Sequence, residues 1–267
     1  MSVTVETCAT AAEAARALGQ GAQYLGGGTI VMRRVNAGDQ HLSRLVRSTD
    51  PGLRAIRSTS QGVSLGAGVT MAQIMAHPDL GFLAPAARAV GGPALREMAT
   101  VGGNLFARAP YGDLAVLLLA LGAQAVMSDG GSPRPLEELW RGGRSGLVLS
   151  LEVPRPREAR ATGYLKVARV HPVGTPVISL AAYLPREGGR IRGARIAMTG
   201  MGATPRRATA AERVLEGAAL DAASIARAAA VAAEGLEPLD DALATAWYRR
   251  EVAGVHLSRL LEGLERG

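Results

Sequence analysis

The chain of 267 residues is poor in aromatic side chains, with two Phe, two Trp and five Tyr. A core of this size must therefore be built from Ala, Leu and Val, with Gly allowing elements to approach closely. It has one cysteine, Cys8. That excludes an internal disulfide framework, a thiolate zinc site and a cysteine-ligated iron–sulfur cluster held by this chain alone. It has one lysine, Lys166; the other long basic side chains are all arginine. A position that keeps Lys among so many Arg is one where a compact ammonium differs from a planar fork, unless chance left it there. His41, His77, His171 and His256 are far apart, without ligand spacing, so no metal site is expected. The longest apolar run, 114–127, is broken by Gln124 and too short to span a bilayer. The opening MSVTVETCATA has neither the charged start nor the apolar run of a secretory leader. No membrane insertion and a cytoplasmic location are expected.

What the chain does have is a formal charge of +7 and 48% hydrophobic residues. The hydrophobic content supports a proper core and argues against disorder. The arginines are spread over the whole length, with no dense basic block interleaved with aromatics. Nucleic-acid binding is therefore not expected. A basic surface suits an acidic partner or an anionic ligand equally well.

In chain order, residues 3–6 read as a strand and 9–18 as a helix capped by Thr10. Strands are expected at 22–25, 41–47, 53–57 and 62–68, and helices at 71–77 (capped by Thr70), 82–90 and 114–121. A strand at 124–127, a helical piece at 135–140 and a strand at 146–153 lead to Pro154-Arg155-Pro156, which reads as a domain boundary. Strands at 163–170, 177–184 and 191–199 then precede helices at 210–217, 224–234 and 243–264. Strands followed by helices describe an α+β layer.

Two glycine-bearing stretches carry the chemistry. In the first, a short strand runs into Leu25-Gly26-Gly27-Gly28-Thr29 and then the apolar Ile30-Val31-Met32. Free backbone N–H groups at such a helix start form a candidate anion cradle. In the second, Thr100-Val101-Gly102-Gly103-Asn104 precedes Asp113, an expected N-cap for the apolar helix behind it. Adjacent glycines let the backbone come close to a ligand. The same residues would also serve a tight turn entering a core helix.

Both loops in this order, with Pro110 and Asp113, resemble the FAD-binding medium subunit of the molybdenum hydroxylases, the group of carbon monoxide dehydrogenase, xanthine dehydrogenase and bacterial aldehyde oxidoreductases. The resemblance extends through Gly163-Tyr164-Leu165-Lys166-Val167-Ala168-Arg169, through 200–208 (GMGATPRRA), and through Pro238-Leu239-Asp240-Asp241 and Tyr248-Arg249-Arg250. It implies an α+β chain: a two-lobed FAD-binding domain of the vanillyl-alcohol-oxidase/PCMH type at 1–154, with lobes at about 1–51 and 52–154. A C-terminal α+β domain with an antiparallel sheet covered by helices follows at 160–267.

The resemblance also implies roles. Tyr24, Leu25, Gly26, Gly27, Gly28, Thr29, Ile30 and Val31 would wrap the FAD pyrophosphate. Val90 and Gly91 would line the flavin pocket. Thr100, Gly102, Gly103 and Asn104 would form the second loop, Asp113 would bond a cofactor hydroxyl, and Val148 and Lys166 would lie at the flavin end. No catalytic acid, base or nucleophile of the chain's own is implied. Electrons would come from a partner [2Fe-2S] small subunit, substrate would be oxidised in a molybdopterin-binding large subunit, and NAD, oxygen or a quinone-linked carrier would be the external acceptor.

The diphosphate carries about two negative charges, and each charge-assisted hydrogen bond contributes about 1.5–3 kcal/mol, so N–H-rich loops can hold it without an arginine clamp. The chain departs from the family pattern in three places: Ile30 stands where relatives often carry a polar residue, 141–146 is short, and the segment after Arg169 lacks a second Arg. A self-sufficient flavoenzyme on a related fold, and a scaffold without flavin, are the alternative readings.

Overall fold

The computed structural model describes residues 3–142, 146–170 and 174–266. The shortened 141–146 loop and the segment after Arg169, with His171, fall partly or wholly outside these.

The first lobe is a parallel three-stranded sheet in the order β1 (Thr4–Cys8), β3 (Arg44–Ser48), β2 (Gln23–Tyr24). Helix α1 (Ala11–Gly19) buries Ala11, Ala14 and Ala17, the i, i+3, i+6 positions of one face. A reciprocal capping box between Thr10 and Glu13 fixes its start. Helix α2 (Val31–Asn36) follows the triple glycine and buries no residue.

The second lobe is an antiparallel five-stranded sheet. Its strands are β4 (Ile56–Ser58), β5 (Gly62–Gly66), β6 (Gln124–Met127), β7 (Arg134–Pro135) and β8 (Val148–Pro154), in the order β4-β5-β8-β6-β7. Helices α3 (Met71–Ala76), α4 (Ala84–Ala89), α5 (Pro93–Met98), α6 (Val101–Leu105), α7 (Asp113–Leu121) and α8 (Leu136–Arg141) complete it.

The C-terminal domain has the antiparallel order β14-β13-β10-β9, with β9 (Thr162–Ala168), β10 (Pro176–Tyr183), β13 (Arg195–Met198) and β14 (Arg206–Arg207). Strands β11 (Arg186–Glu187) and β12 (Arg190–Ile191) form a separate hairpin. Helices α9 (Thr209–Leu215), α10 (Ala222–Ala230) and α11 (Ala246–Arg266) pack on one face of the larger sheet, against Ile178, Leu180, Ile196 and Met198.

The other face of that sheet is covered by α7. Every residue of α7 is buried, because the second-lobe core lies on one side and Ala181 and Ala197 on the other. Small side chains there let helix and sheet approach, and a helix apolar all round is one buried all round. Helix α7 therefore joins the two halves of the molecule.

Several local expectations change. Residues 53–57 do not form one strand: Asp50 accepts from the amide of Gly52, and Pro51 opens a 3₁₀ turn before β4. Helix α5 has no counterpart among the expected elements; Pro93 sits at its first position, where no N–H is needed. Residues 191–199 split into β12 and β13, and the Glu216 carboxylate accepts from the amides of Gly193 and Ala194 at the break. Val101–Leu105, expected as loop, is one turn of helix capped by Thr100.

Candidate functional site

A cleft opens where the two lobes and the C-terminal domain meet. Thr29, Ile30 and Arg33 line it from the first lobe. From the second lobe come Val90, Gly91 and Leu95, then Ala99, Thr100, Gly103, Asn104 and Ala107, then Tyr111, Gly112 and Asp113. Lys166 and 174–176 come from the C-terminal domain. Of the residues singled out in sequence, Thr29, Ile30, Val90, Gly91, Thr100, Gly103, Asn104, Asp113 and Lys166 share this wall. Tyr111, the candidate acid or base of the self-sufficient flavoenzyme reading, is also on this wall; Arg33, Leu95, Ala99, Ala107 and Gly112 are additional, as are 174–176. Most of these are small or apolar, and no motif marks such residues in a single sequence.

The two glycine stretches touch. A Cβ on Gly26 would stand 2.9 Å from Oγ1 of Thr100, and one on Gly27 would overlap the carbonyl oxygen of Met98. Among the described residues, the amides of Gly26, Gly27, Gly28, Thr29, Ile30 and Val31 have no hydrogen-bond acceptor. The neighbouring amides are spent: Leu25 N–H donates to Val46 O and Met32 N–H to Gly28 O. These residues are exposed or half-buried, so their amides stand open to an arriving acceptor, and their partial positive charge suits an anion. This donor set fits a diphosphate.

The second stretch differs. Gly102 N–H donates to Ala67 O at 2.8 Å, Gly103 N–H to Oγ1 of Thr100 and Asn104 N–H to Thr100 O. Its glycines serve close packing, since a Cβ on Gly102 would press on Ala67. The expected N-cap role of Asp113 is also corrected. Asp113 is the first helical residue of α7, behind Gly112, whose φ of 108° only glycine adopts readily. The side chain that caps α7 is Asn104, whose Oδ1 accepts from Ala115 N–H at 2.9 Å.

Asp113 does something else. Its Oδ1 accepts from the Tyr164 hydroxyl at 2.8 Å and the Ser179 hydroxyl at 2.7 Å, and its Oδ2 from Lys166 Nζ at 3.0 Å. Lys166 Nζ also donates to Ala89 O at 2.7 Å. An ammonium has three donors, and these contacts use two. Burial, and next the charge of Asp113, push the Tyr164 phenol well above its ordinary value of 10.0. Tyr164 is thereby held as a hydrogen-bond donor.

The remaining sequence candidates, Tyr24 to Gly28, Val31, Gly102 and Val148, are not among the residues that line the cleft. Tyr24 is half-buried against the first-lobe core, where burial raises its phenol pKa. Leu25 continues the β3 pairing through its amide. Val148 is buried at the start of β8, opposite Met127 in the second-lobe core. Among the described residues no group of His, Cys, Asp and Glu could hold a metal ion, and no helix is long and apolar enough to cross a membrane.

With this geometry in view, residues 2–156 match the family described as "FAD binding domain in molybdopterin dehydrogenase", and residues 164–264 match the "CO dehydrogenase flavoprotein C-terminal domain". The chain belongs to the FAD-binding flavoproteins of the molybdopterin dehydrogenases. It is an FAD-binding subunit of an oxidoreductase. Its relatives include the 6-hydroxypseudooxynicotine dehydrogenase complex subunit alpha of Paenarthrobacter nicotinovorans, 29% identical over 91% of this chain and 86% of that protein. The carbon monoxide dehydrogenase medium chain of Afipia carboxidovorans is 29% identical over 92% and 89%. Among solved structures, a carbon monoxide dehydrogenase from Hydrogenophaga pseudoflava superposes with a TM-score of 0.90 at 25% identity, covering 99% of this chain and 97% of that one.

Proposed function

We propose that this chain is the medium subunit of a heteromeric molybdenum hydroxylase. It stands between a [2Fe-2S] small subunit and an external electron acceptor, with substrate oxidised in a molybdopterin-binding large subunit. The observation that supports this reading above others is the run of unpartnered amides from Gly26 to Val31, packed against the Thr100 segment at the mouth of the cleft. FAD, when bound, supplies reversible storage of electrons.

The chain's own residues bind, orient and enclose. The 26–31 amides and Thr29 would hold the diphosphate, and Gly103 and Asn104 would line the adjoining wall. Val90 and Gly91 would flank the ring, Asp113 would accept from a cofactor hydroxyl, and Lys166 would present its remaining N–H to the flavin end. Two expected contacts would take indirect roles: Gly102 sets the packing of the loop, and Val148 supports the sheet beneath it. Relatives are named as medium chains or complex subunits, which supports the expectation of partner chains.

The test is affinity purification of the chain from its own cells. Co-purification of a [2Fe-2S] polypeptide and a molybdopterin polypeptide, in fixed ratio, is the expected outcome. A chain recovered with FAD but alone, and catalytically competent alone, would overturn the assignment.

A further inference from the structure

Two side chains that do not line the cleft hold its charged floor in place. Lys166 and Ser179 face each other across the β9–β10 ladder, and Tyr164 is two residues along β9 from Lys166. Side chains two apart on a strand share a face, so all three point from the C-terminal sheet towards α7. They converge there on one carboxylate, Asp113, which is 5% exposed. Ser179 is itself fixed: its amide donates to Oγ1 of Thr199 at 2.9 Å, and the Thr199 amide donates to Ser179 O. The polar atoms of this patch interrupt an otherwise apolar interface between α7 and the sheet, where Ala181 and Ala197 pack.

A buried carboxylate stays ionised only when its oxygens are paired or hydrogen-bonded. Tyr164 and Ser179 supply both bonds to Oδ1, leaving Oδ2 for Lys166. Lys166 in turn is placed by two acceptors from different elements, Ala89 O at the end of α4 and Asp113 at the start of α7. Without a correctly turned Asp113, one of these two anchors is lost and the Lys166 Nζ is no longer directed at the cleft.

We infer that Tyr164 and Ser179 are positioning residues for the FAD site, acting through Asp113 on Lys166, so that the C-terminal sheet sets the affinity and potential of a cofactor bound mainly by the N-terminal domain. The inference rests on the reading of the cleft as the FAD site.

The test uses Tyr164→Phe, Ser179→Ala and the double variant. Each keeps nearly the original volume, and the single variants keep the question decidable if the double variant fails to fold. Apoprotein is titrated with FAD by fluorescence, the midpoint potential of the bound flavin is measured, and thermal unfolding of the apoprotein is recorded. The expected result is a loss of FAD affinity of about tenfold in the double variant, smaller losses in the singles, and a shifted potential. Lys166→Met should reproduce the shift and make further change at Tyr164 silent. Variants that unfold earlier yet bind FAD as tightly, at an unchanged potential, would reduce Tyr164 and Ser179 to packing and overturn the inference. A wild-type chain that binds no FAD would overturn the site assignment itself, a distinct outcome.

Discussion

Gly27 faces the carbonyl oxygen of Met98 with no room for a methyl group between them. This contact makes the two glycine-bearing segments, seventy residues apart, into a single surface. It also separates two uses of glycine that look alike in sequence. The first segment leaves its amides free, whereas the second spends its amides on Ala67 and Thr100.

Gly27→Ala should therefore displace either the first loop or the end of α5, and FAD retention should be lost with it. Gly19→Ala is the control, because nothing lies within 4 Å of a Cβ there and φ is not positive. The control should be neutral or slightly more stable. Flavin content per chain after desalting checks both. A Gly27→Ala protein that keeps its full complement of flavin would show that the loops need not touch.

How legible this was depends on the element. Helix α1 announced itself through Thr10 and its Ala-rich run, and α7 through its apolar run. Both signals are local. The role of Asp113 was not local: its hydrogen-bond partners lie 51 to 66 residues further on, across a domain interface. A carboxylate before an apolar run reads as a cap unless the chain is already folded. The cap itself came from Asn104, eleven residues before the Ala115 amide it accepts from, because Gly112 turns the chain sharply between them. The first glycine loop was legible because free amides follow from strand, glycines and helix start. The second was legible in position, but its use of amides for packing depended on Ala67, which no spacing rule links to it.

Asn104→Ala removes the only side-chain cap of α7 among the described residues. The expected cost is about 1 kcal/mol of apoprotein stability. Urea unfolding should show a lower midpoint with an unchanged slope. An unaltered midpoint would mean that Ala115 N–H finds another acceptor.

Arg249 is 1% exposed and makes four hydrogen bonds: to Val177 O at 3.0 Å, Ala244 O at 3.0 Å, Leu239 O, and Oδ2 of Asp241 at 2.7 Å. It ties the start of α11 to the loop before it and to β10. Arg249→Met takes the donor away from three carbonyls and from the exposed Asp241, and about 1–3 kcal/mol of stability should be lost, chiefly from the carbonyls left without a donor. Arg249→Lys should rescue little, since an ammonium cannot span four acceptors in fork geometry. Thermal unfolding of the three proteins decides it, and full rescue by Lys would count against the geometry.

His256 on α11 has its imidazole pKa lowered from the ordinary 6.5, chiefly by burial and then by the Arg259 guanidinium beside it. The folded chain thus takes up this proton less readily than the unfolded chain. The group contributes nothing above about pH 6.5, and stability is lost as the pH falls from there through the lower folded value. His256→Gln should flatten that part of the stability-against-pH curve. Parallel curves for the two proteins between pH 7 and pH 5 would refute it.

The cleft between the lobes and the C-terminal domain is proposed to hold FAD through the 26–31 amides. The absorption spectrum of the purified chain, with chromatography of what acid or heat releases, tests it most directly. Flavin bands and about one FAD released per chain are expected, the complement of a single bound cofactor. A colourless protein that also fails to take up added FAD would contradict it, and would point to Ile30 and the short 141–146 loop as the places where binding was lost.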